Sequence, residues 1–364
     1  MQNDTYNPDL RPIPSNLFSL QLLPSETVPT EHKAPFVYFG GKSRAAPLIW
    51  ERLGDVRNYV EPFAGSLACL FGRPADHQGG AELVNDFDGN VSNFWRSIRL
   101  HPDAVAEAAD HPVFECDLHA RHLRLVNGRA ELVARMEGDP DYCDPKLAGW
   151  WAWGLNCWIG TGFCSGKGPW VLDTESGMMV RREDAVGQGV KRKLPRLTAQ
   201  GQGVNRKLPH LGDQGQGVNR QLPHLGDQGK GVCAERSAHL RQWFREIADR
   251  LRMVRVANGD WERVCSPGTM TKMGVCGVVL DPPYHSEKDE VYAHDDGGVA
   301  HRVADWCRAN GDNPRLRIAL CGYEKDYQMP DTWQAVPWKA GGGYQKVQQQ
   351  EVVWFSPHCL KPEK

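Results

Sequence analysis

The stretch VVLDPPY at residues 278–284 decides how the rest of this sequence is interpreted. Its three apolar residues end a predicted buried strand, and the two prolines stop that strand because neither has a backbone donor. The residue before a proline is also driven out of the helical region, so a stiff extended turn is expected. This turn offers the Asp281 carboxylate, the Pro282 carbonyl and the Tyr284 ring. Two acceptors and a stacking surface suit a planar amine at the carboxyl end of a strand, where open α/β sheets bind ligands.

The composition is that of a folded protein without an overall basic character. The chain has 364 residues, 24% of them charged, and a formal net charge of −2. A nucleic-acid partner would therefore have to meet a local basic patch. The start has no basic region followed by an apolar run, and no stretch approaches the roughly 18 apolar residues of a membrane span. Export and membrane association are both disfavoured, and we expect a cytoplasmic protein.

The 11 cysteines are predicted to be reduced thiols. No Cys-x-x-Cys pair occurs in the sequence, and most cysteines stand among apolar neighbours, which favours buried thiols over a disulfide framework. A zinc site would require clustered Cys and His ligands. His119 and His122 are three apart and near Cys116, but the segment around them is polar and helical in character. We therefore predict no metal site.

Two glycine-containing turns are candidates for a nucleoside site. The first, GGKS at 40–43, follows a strand-like run at 36–39 and precedes a helical stretch over 44–53. Its glycines allow a close approach of backbone to ligand, and Lys42 can reach an anion, although for this motif alone a helix N-cap at Ser43 after a flexible turn is the favoured interpretation. The second turn, EPFAGS at 61–66, opens another helix. The glycine spacings of a P-loop and of a dinucleotide-binding turn are absent from both.

An acid ends the next predicted strand, LVND at 83–86. Asp86 follows the Gly65 turn by about twenty residues, the separation at which an acid binds ribose hydroxyls in Rossmann-like sheets. A single glycine gives little support for binding a pyrophosphate. The sequence therefore indicates a nucleoside ligand without a pyrophosphate.

The order of these motifs is that of a known enzyme family. The motifs are FGGK at 39–42, EPFAGS at 61–66, ND at 85–86 and DPPY at 281–284. Over about residues 35–100 and 250–357 the chain resembles DNA adenine-N6 methyltransferases of the Dam-like type (D12, alpha arrangement). The resemblance implies an S-adenosylmethionine-dependent enzyme of prokaryotic or phage origin that acts on double-stranded DNA. It leaves open whether a cognate restriction endonuclease is a partner.

The same resemblance implies the fold and the site residues. The fold would be α/β, a Rossmann-like class I methyltransferase sheet that is doubly wound and ends in an antiparallel hairpin, with an inserted target-recognition region. Asp281, the Pro282 carbonyl and Tyr284 would grip the target adenine. Lys42 would face the methionine carboxylate of the cofactor, and Asp86 would bind its ribose. The full set of residues implied at the cofactor is Tyr38, Lys42, Phe63, Gly65, Asp86, Asp260 and Asp281.

The chemistry of the DPPY turn explains why such residues would serve methyl transfer. Hydrogen bonds from both amine N–H groups to Asp281 and Pro282 favour the pyramidal amine whose lone pair can attack a methyl group. A stacked base cannot be reached, so the base would flip out and stack on Tyr284. The same turn suits the N4 amine of cytosine. A DNA-binding protein that kept the fold without turnover is a further alternative, and RNA is not excluded as substrate.

The predicted domains follow the motifs. Residues 1–34 are polar and proline-rich, which predicts a mobile tail. The catalytic domain would comprise 35–110 and 234–364, with 111–233 inserted as the target-recognition region. Within the insert, the helix predicted over 146–159 carries four tryptophans and is interpreted as core rather than as a base-stacking surface.

The insert also contains repeats at 187–231. A Gly-x-Gly-Val unit recurs every fourteen residues, and three of the units are followed by Leu-Pro-x-Leu. Over 181–230 ten basic residues stand against four acidic ones, a net charge of +6. The segment is either a basic arm that follows phosphates or a duplicated linker without a role of its own, and the sequence leaves both open.

Deletion of residues 187–228 separates these two interpretations. If the repeats contact phosphates, the deletion weakens DNA binding and flattens its dependence on salt, because fewer counterions are released on binding. Affinity for the cofactor stays unchanged. Titrations of a labelled duplex at several salt concentrations measure both effects, and an unchanged DNA affinity at every concentration would exclude a phosphate-binding arm.

Overall fold

The computed structural model describes most of the chain outside the repeats. The described residues are 32–36, 38, 41–139, 141–158, 163–164, 170–172, 179–181, 234–283, 298–338 and 350–361. Residues 1–31 of the predicted tail, the repeats and Tyr284 lie outside these ranges, so the expectations for them stay predictions.

Nine strands are present in the described residues. They are β1 Asn58–Glu61, β2 Ala81–Asp86, β3 Trp170–Leu172, β4 Met179–Arg181, β5 Val254–Asn258, β6 Cys276–Leu280, β7 Leu316–Tyr323, β8 Gln334–Trp338 and β9 Glu351–Phe355. Seven of them form one sheet in the order β5-β2-β1-β6-β7-β9-β8, while β3 and β4 pair antiparallel in a separate sheet. The first five strands of the large sheet run parallel, and β9 is antiparallel to both of its neighbours.

Ten α-helices accompany the strands in the described residues. They are α1 Ala46–Leu53, α2 Ala68–Phe71, α3 Gly89–Leu100, α4 Pro102–Ala109, α5 Glu115–Asn127, α6 Arg129–Gly138, α7 Pro145–Cys157, α8 Ala234–Leu251, α9 Pro267–Met270 and α10 Val299–Asn310. Local sequence sets several of their ends. Asp88 caps α3 by accepting from the backbone of Asn90, and Asp144 caps α7 in the same way. Pro102 and Pro145 each open a helix, where a missing N–H carries no penalty.

The mixed α/β architecture and the mostly parallel sheet confirm the coarse fold prediction. From β1 the chain passes to β2 on one side, and β6 occupies the other side of β1. This reversal of strand order opens a crevice at the carboxyl ends of β1 and β6, the usual place for a ligand in such sheets. The doubly wound arrangement stays a prediction, and so does the terminal hairpin, because residues 339–349 between β8 and β9 lie outside the described part.

The predicted strand at 36–39 is wrong for the two members that the structure describes. Phe36 and Tyr38 are outside any strand. Phe36 is 3% exposed and packs edge-on against Phe94 of α3 and Trp151 of α7. Phe36 is therefore buried between two helices and is not part of a strand. Both neighbours of β1 in the sheet are supplied by later strands, β2 and β6.

Helix α7 belongs to the main hydrophobic core. Trp151 and Trp153 are fully buried, which confirms the core interpretation for these two tryptophans. Trp150 is half-buried and lies beneath the Arg121 guanidinium and the Lys146 ammonium. The core that holds α7 also contains residues of α3, α8 and β2, so the first part of the predicted insert packs directly on the sheet-bearing part of the chain. The boundary between the predicted catalytic domain and the predicted insert, at residues 110 and 111, stays a prediction.

Replacement of Trp151 tests whether α7 is part of the folding unit of the sheet. Trp151→Ala should lower the free energy of unfolding by about 3–5 kcal/mol, because it leaves a large cavity beside Phe36 and Phe94. Trp150→Ala, at the half-buried neighbouring position, should lower it much less. Urea unfolding followed by circular dichroism measures both. Equal, small effects of the two substitutions would show that α7 is not integral to the core.

Candidate active site

A buried ion pair joins the turn after β6 to the segment before α1. Lys42 Nζ lies 2.8 Å from Asp281 Oδ2, and the two side chains are 4% and 20% exposed. The Lys42 carbonyl accepts hydrogen bonds from the backbone N–H groups of Ala45 and Ala46 and so starts the α1 turn. Asp281 is fixed by the end of β6 and by the proline that follows. Two motifs from distant parts of the sequence therefore meet at one point.

The surroundings of Lys42 keep it protonated. Burial alone would lower the pKa of Lys42, but the charge of Asp281 and the hydrogen bond to it, with a smaller contribution from Glu351, raise the pKa above its ordinary value. The Trp338 ring centroid lies 5.6 Å from Nζ, which adds a cation–π contact. Lys42 is therefore a fixed cation at the carboxyl ends of the strands.

Asp86 is held against the Gly65 turn. Its Oδ2 accepts from the Gly65 N–H and its Oδ1 from the Asp88 N–H, both at 2.9 Å. Burial raises the pKa of Asp86 to about 7, although these hydrogen bonds work in the opposite direction. Gly65 has φ +44°, and a Cβ there would come within 2.7 Å of the Tyr38 ring. Only glycine suits this position, where Tyr38, the turn and Asp86 are brought together.

Asn85 connects two loops of the same edge. Its Nδ2 donates to the carbonyls of Pro62 and Gly259, each at 3.0 Å. The Asn85 carbonyl accepts from the Ala64 N–H. The turn after β1 is thereby tied to the loop after β5. The sequence did not predict this role, because Asn85 was noted there only as part of the ND motif at 85–86.

Aromatic rings line the end of β1 and the loop after β5. The ring of Phe63 stacks on that of Trp261, with centroids 6.2 Å apart and planes 30° from parallel. Asp260 precedes Trp261 and caps the short 3₁₀ helix Trp261–Val264 through a 2.8 Å bond from the Glu262 N–H. Its other oxygen lies 3.8 Å from Arg302. Asp260 therefore lies at the predicted edge and also has a local structural role.

Two further residues at this edge were not predicted from the sequence. Phe87 directly follows Asp86 and is 52% exposed, an unusual position for a large apolar ring. Its place after a strand-end acid was the signal that could have found it. Glu61 is a buried carboxyl at the end of β1 that accepts from the Tyr59 hydroxyl at 2.9 Å and from the Leu70 N–H. Burial raises the pKa of Glu61 to about 8.

The predicted site residues thus fall at the carboxyl ends of neighbouring parallel strands. Phe63 and Gly65 follow β1, Asp86 ends β2, Asp260 follows β5 and Asp281 with Pro282 follows β6. Direct contacts connect Tyr38 to Gly65, Gly65 to Asp86 and Lys42 to Asp281. Tyr284 lies outside the described residues. The arrangement provides carboxylates, an aromatic stack and one buried cation around a single crevice.

One family of known proteins matches the part of the chain that contains several of these residues. The family model of D12 class N6 adenine-specific DNA methyltransferases matches residues 38–123. The matched stretch contains Tyr38, Lys42, Gly65 and Asp86. Over these residues the chain is similar to that family of DNA methyltransferases. The similarity indicates an enzyme, an adenine-specific DNA methyltransferase, and so favours adenine over the cytosine-N4 and non-catalytic alternatives. No curated relative matches the sequence.

Two searches of the described residues concern metals and membranes. Within the described part of this methyltransferase, no group of three or more His, Cys, Asp and Glu side chains could hold a metal ion. None of the helices described there has the length and apolar character needed to cross a bilayer.

The buried Glu61 makes a testable contribution to pH dependence. Its folded pKa of about 8 lies above the ordinary value of 4.5, so between these pH values the folded protein holds a proton that the unfolded chain has lost. The free energy of unfolding should therefore fall as pH rises through this window, by up to about 1.4 kcal/mol per pH unit from this group. Glu61→Gln should flatten the fall.

The measurement is urea unfolding at several pH values between 5 and 8. Glu131→Gln is the control, because Glu131 is exposed on α6. Wild type and the control should share one slope, to which the buried Asp86 also contributes. An identical slope in Glu61→Gln would mean that Glu61 is ionised in the folded protein throughout this range.

Proposed function

We propose that this methyltransferase moves a methyl group from S-adenosylmethionine to the N6 amine of an adenine flipped out of double-stranded DNA. The observation that carries the proposal is the Lys42–Asp281 pair, which lies at the same sheet edge as the Asp86–Gly65 turn. One edge thus offers acceptors for an exocyclic amine beside acceptors for a nucleoside. The family supports methyl transfer to adenine in DNA, and the cofactor and the extruded base are the parts that we add.

The residues at β1, β2 and β5 fit the adenosine half of the cofactor. Each oxygen of Asp86 accepts one backbone N–H, and a carboxylate has about four acceptor sites, so both ribose hydroxyls can still be bound. The exposed Phe87 ring and the Phe63–Trp261 stack offer apolar surfaces for a purine. Asp260 supplies an acceptor for its amino group. Gly65, which has a positive φ, lets the backbone approach closely.

The methionine half would lie toward Tyr38 and Lys42. Lys42 already forms an ion pair with Asp281, so its role would not be limited to binding the carboxylate of the cofactor. An ammonium has three donors, so a contact with a methionine carboxylate can be added to the existing pair. Lys42 would then connect the two substrates electrostatically.

The chemistry needs little beyond orientation. When bound, S-adenosylmethionine supplies a methyl group on an electrophilic sulfonium. Asp281 and the Pro282 carbonyl accept hydrogen bonds from the two N–H groups of adenine, which directs the nitrogen lone pair toward the methyl carbon. Before the adenine enters, Lys42 holds the Asp281 carboxylate at the end of β6. The new N–C bond forms as the S–C bond breaks, and the methylated amine then loses one proton.

The route by which DNA reaches the site is also part of the proposal. The amine of a stacked adenine is inaccessible, so the base is expected to leave the duplex and stack on Tyr284. Residues 111–233 would recognise the target sequence, and the repeats within them would add phosphate contacts. A cognate restriction endonuclease would cut the same sequence when unmethylated.

Substitution of Asp281 tests the proposal. Asp281→Asn keeps the shape but weakens one acceptor, and Asp281→Ala removes it, so methyl transfer should fall by about 100-fold or more and to background, respectively. Transfer of a tritiated methyl group from S-adenosylmethionine to duplex DNA measures this, with nucleoside analysis to identify N6-methyladenine. Cofactor binding, followed as a thermal shift, should persist in both variants.

Asp331→Asn and Asp331→Ala are the matched controls, because Asp331 is an exposed acid outside the site. They should retain wild-type activity. Near-normal turnover by Asp281→Ala would contradict the assignment, and a wild-type protein that neither binds S-adenosylmethionine nor methylates DNA would contradict the proposed function itself.

A further inference from the structure

A second carboxylate lies on the side of the sheet where Lys42 meets Asp281. In the antiparallel β8–β9 pair, Trp338 is directly opposite Glu351. Side chains of directly opposite residues project from the same face of a sheet. Since the Trp338 ring lies 5.6 Å from Lys42 Nζ, Glu351 is on the Lys42 side as well. Glu351 was not among the residues expected from the sequence.

The registers of the intervening strands support this placement. Leu280 pairs with Leu320, so Asp281 is level with the next residue of β7, Cys321. Cys321 pairs with Val353 of β9, two residues from Glu351 and therefore on the same face. Asp281 and Glu351 thus project from one face of the sheet, near the carboxyl end of β7.

The charges around Lys42 are not balanced. One buried ammonium lies near two carboxyl groups, and Asp281 is within hydrogen-bond distance of it. Oδ2 of Asp281 is thereby occupied, whereas Oε2 of Glu351 is buried without a hydrogen-bond partner. Burial raises the pKa of Glu351, Lys42 lowers it and Asp281 raises it further, so the three groups are close enough to act on one another. A buried acceptor without a partner is rare and usually has a use.

We propose that Glu351 is a positioning residue that takes over the Lys42 ammonium when Asp281 turns to the amine of the target adenine. This inference rests on the proposed function, because it assumes that Asp281 accepts from that amine. Lys42 and the adenine N–H group compete for the oxygens of one carboxylate. A second carboxylate beside Lys42 lets the ammonium keep a counter-charge while Asp281 gives up part of its ion pair. Glu351 itself does not touch the reacting atoms.

Loss of the Glu351 charge should therefore affect turnover more than binding. In Glu351→Gln the ammonium stays on Asp281, so the amine is bound less well in the transition state while both substrates still enter the site. We expect kcat to fall by about 10-fold or more, with the KM for DNA and the Kd for S-adenosylmethionine within about 2-fold of wild type. Glu351→Asp, which keeps the charge on a shorter side chain, should restore part of kcat.

The control for these kinetics is Glu324→Gln, at an exposed acid just after β7, which should behave as wild type. An unchanged kcat in Glu351→Gln would overturn the proposal. So would an increase in KM that accounts for the whole loss, because it would make Glu351 a binding residue. Equal thermal stability of Glu351→Gln and wild type excludes misfolding as the cause.

A second measurement does not depend on methyl transfer. A double-mutant cycle with Lys42→Gln and Glu351→Gln, read by urea unfolding of the full chain without substrates, gives the coupling between these two side chains. Repeating the cycle in the Asp281→Asn background removes the competing charge. The coupling should be larger in that background, because Lys42 then turns to Glu351.

The two experiments distinguish the possible failures. If the wild-type protein does not methylate DNA, the proposed function fails, and the cycle still reports whether Lys42 exchanges partners. A coupling that is absent in both backgrounds, or equal in both, would overturn the exchange of Lys42 between Asp281 and Glu351 even in an active enzyme.

Discussion

The fold of the site depends on one requirement, that a buried ammonium must have a counter-charge. Lys42 and Asp281 form an ion pair at 2.8 Å, and removal of Lys42 would leave the Asp281 carboxylate without its cation in a poorly hydrated place. The pair therefore fixes the segment before α1 against the end of β6. Strands β1, β2, β5 and β6 of the large sheet lie between these two points of the chain, so this contact sets the geometry in which β1, β2 and β5 present their loops. The Lys42–Asp281 ion pair therefore supports both the arrangement of the strands and the proposed chemistry.

Acidic groups are concentrated at this edge at the expense of stability. Burial raises the pKa values of Glu61, Asp86 and Glu351, which means that each is harder to ionise in the folded protein than in the unfolded chain. Such a cost is common at functional sites, because acceptors placed for a substrate are incompletely satisfied without it. Two backbone N–H groups soften the penalty at Asp86. The remaining penalty is the physical basis for a trade between stability and turnover.

Sequence patterns predicted what local chemistry controls. The apolar run at 278–280 and the strand-end acids Asp86 and Asp281 lie where expected, because periodicity and prolines act within a few residues. The strand at 36–39 failed because Phe36 is buried against α3 and α7, a fact that no nearby residue encodes. The position of Glu351 was hidden for a similar reason, since it depends on the register of β9 with β7 and β8.

The position of β6 between β1 and β7 has a consequence for synthesis on the ribosome. While the repeats and α8 are being translated, β1 has a neighbour on its β2 side only, and its other side offers unpaired backbone groups to any strand that passes. No truncated product that ends before residue 276 can close that gap or bring a carboxylate to Lys42. The predicted site is therefore incomplete until about the last quarter of the chain has been translated, and until then the open side of β1 can pair with other strands.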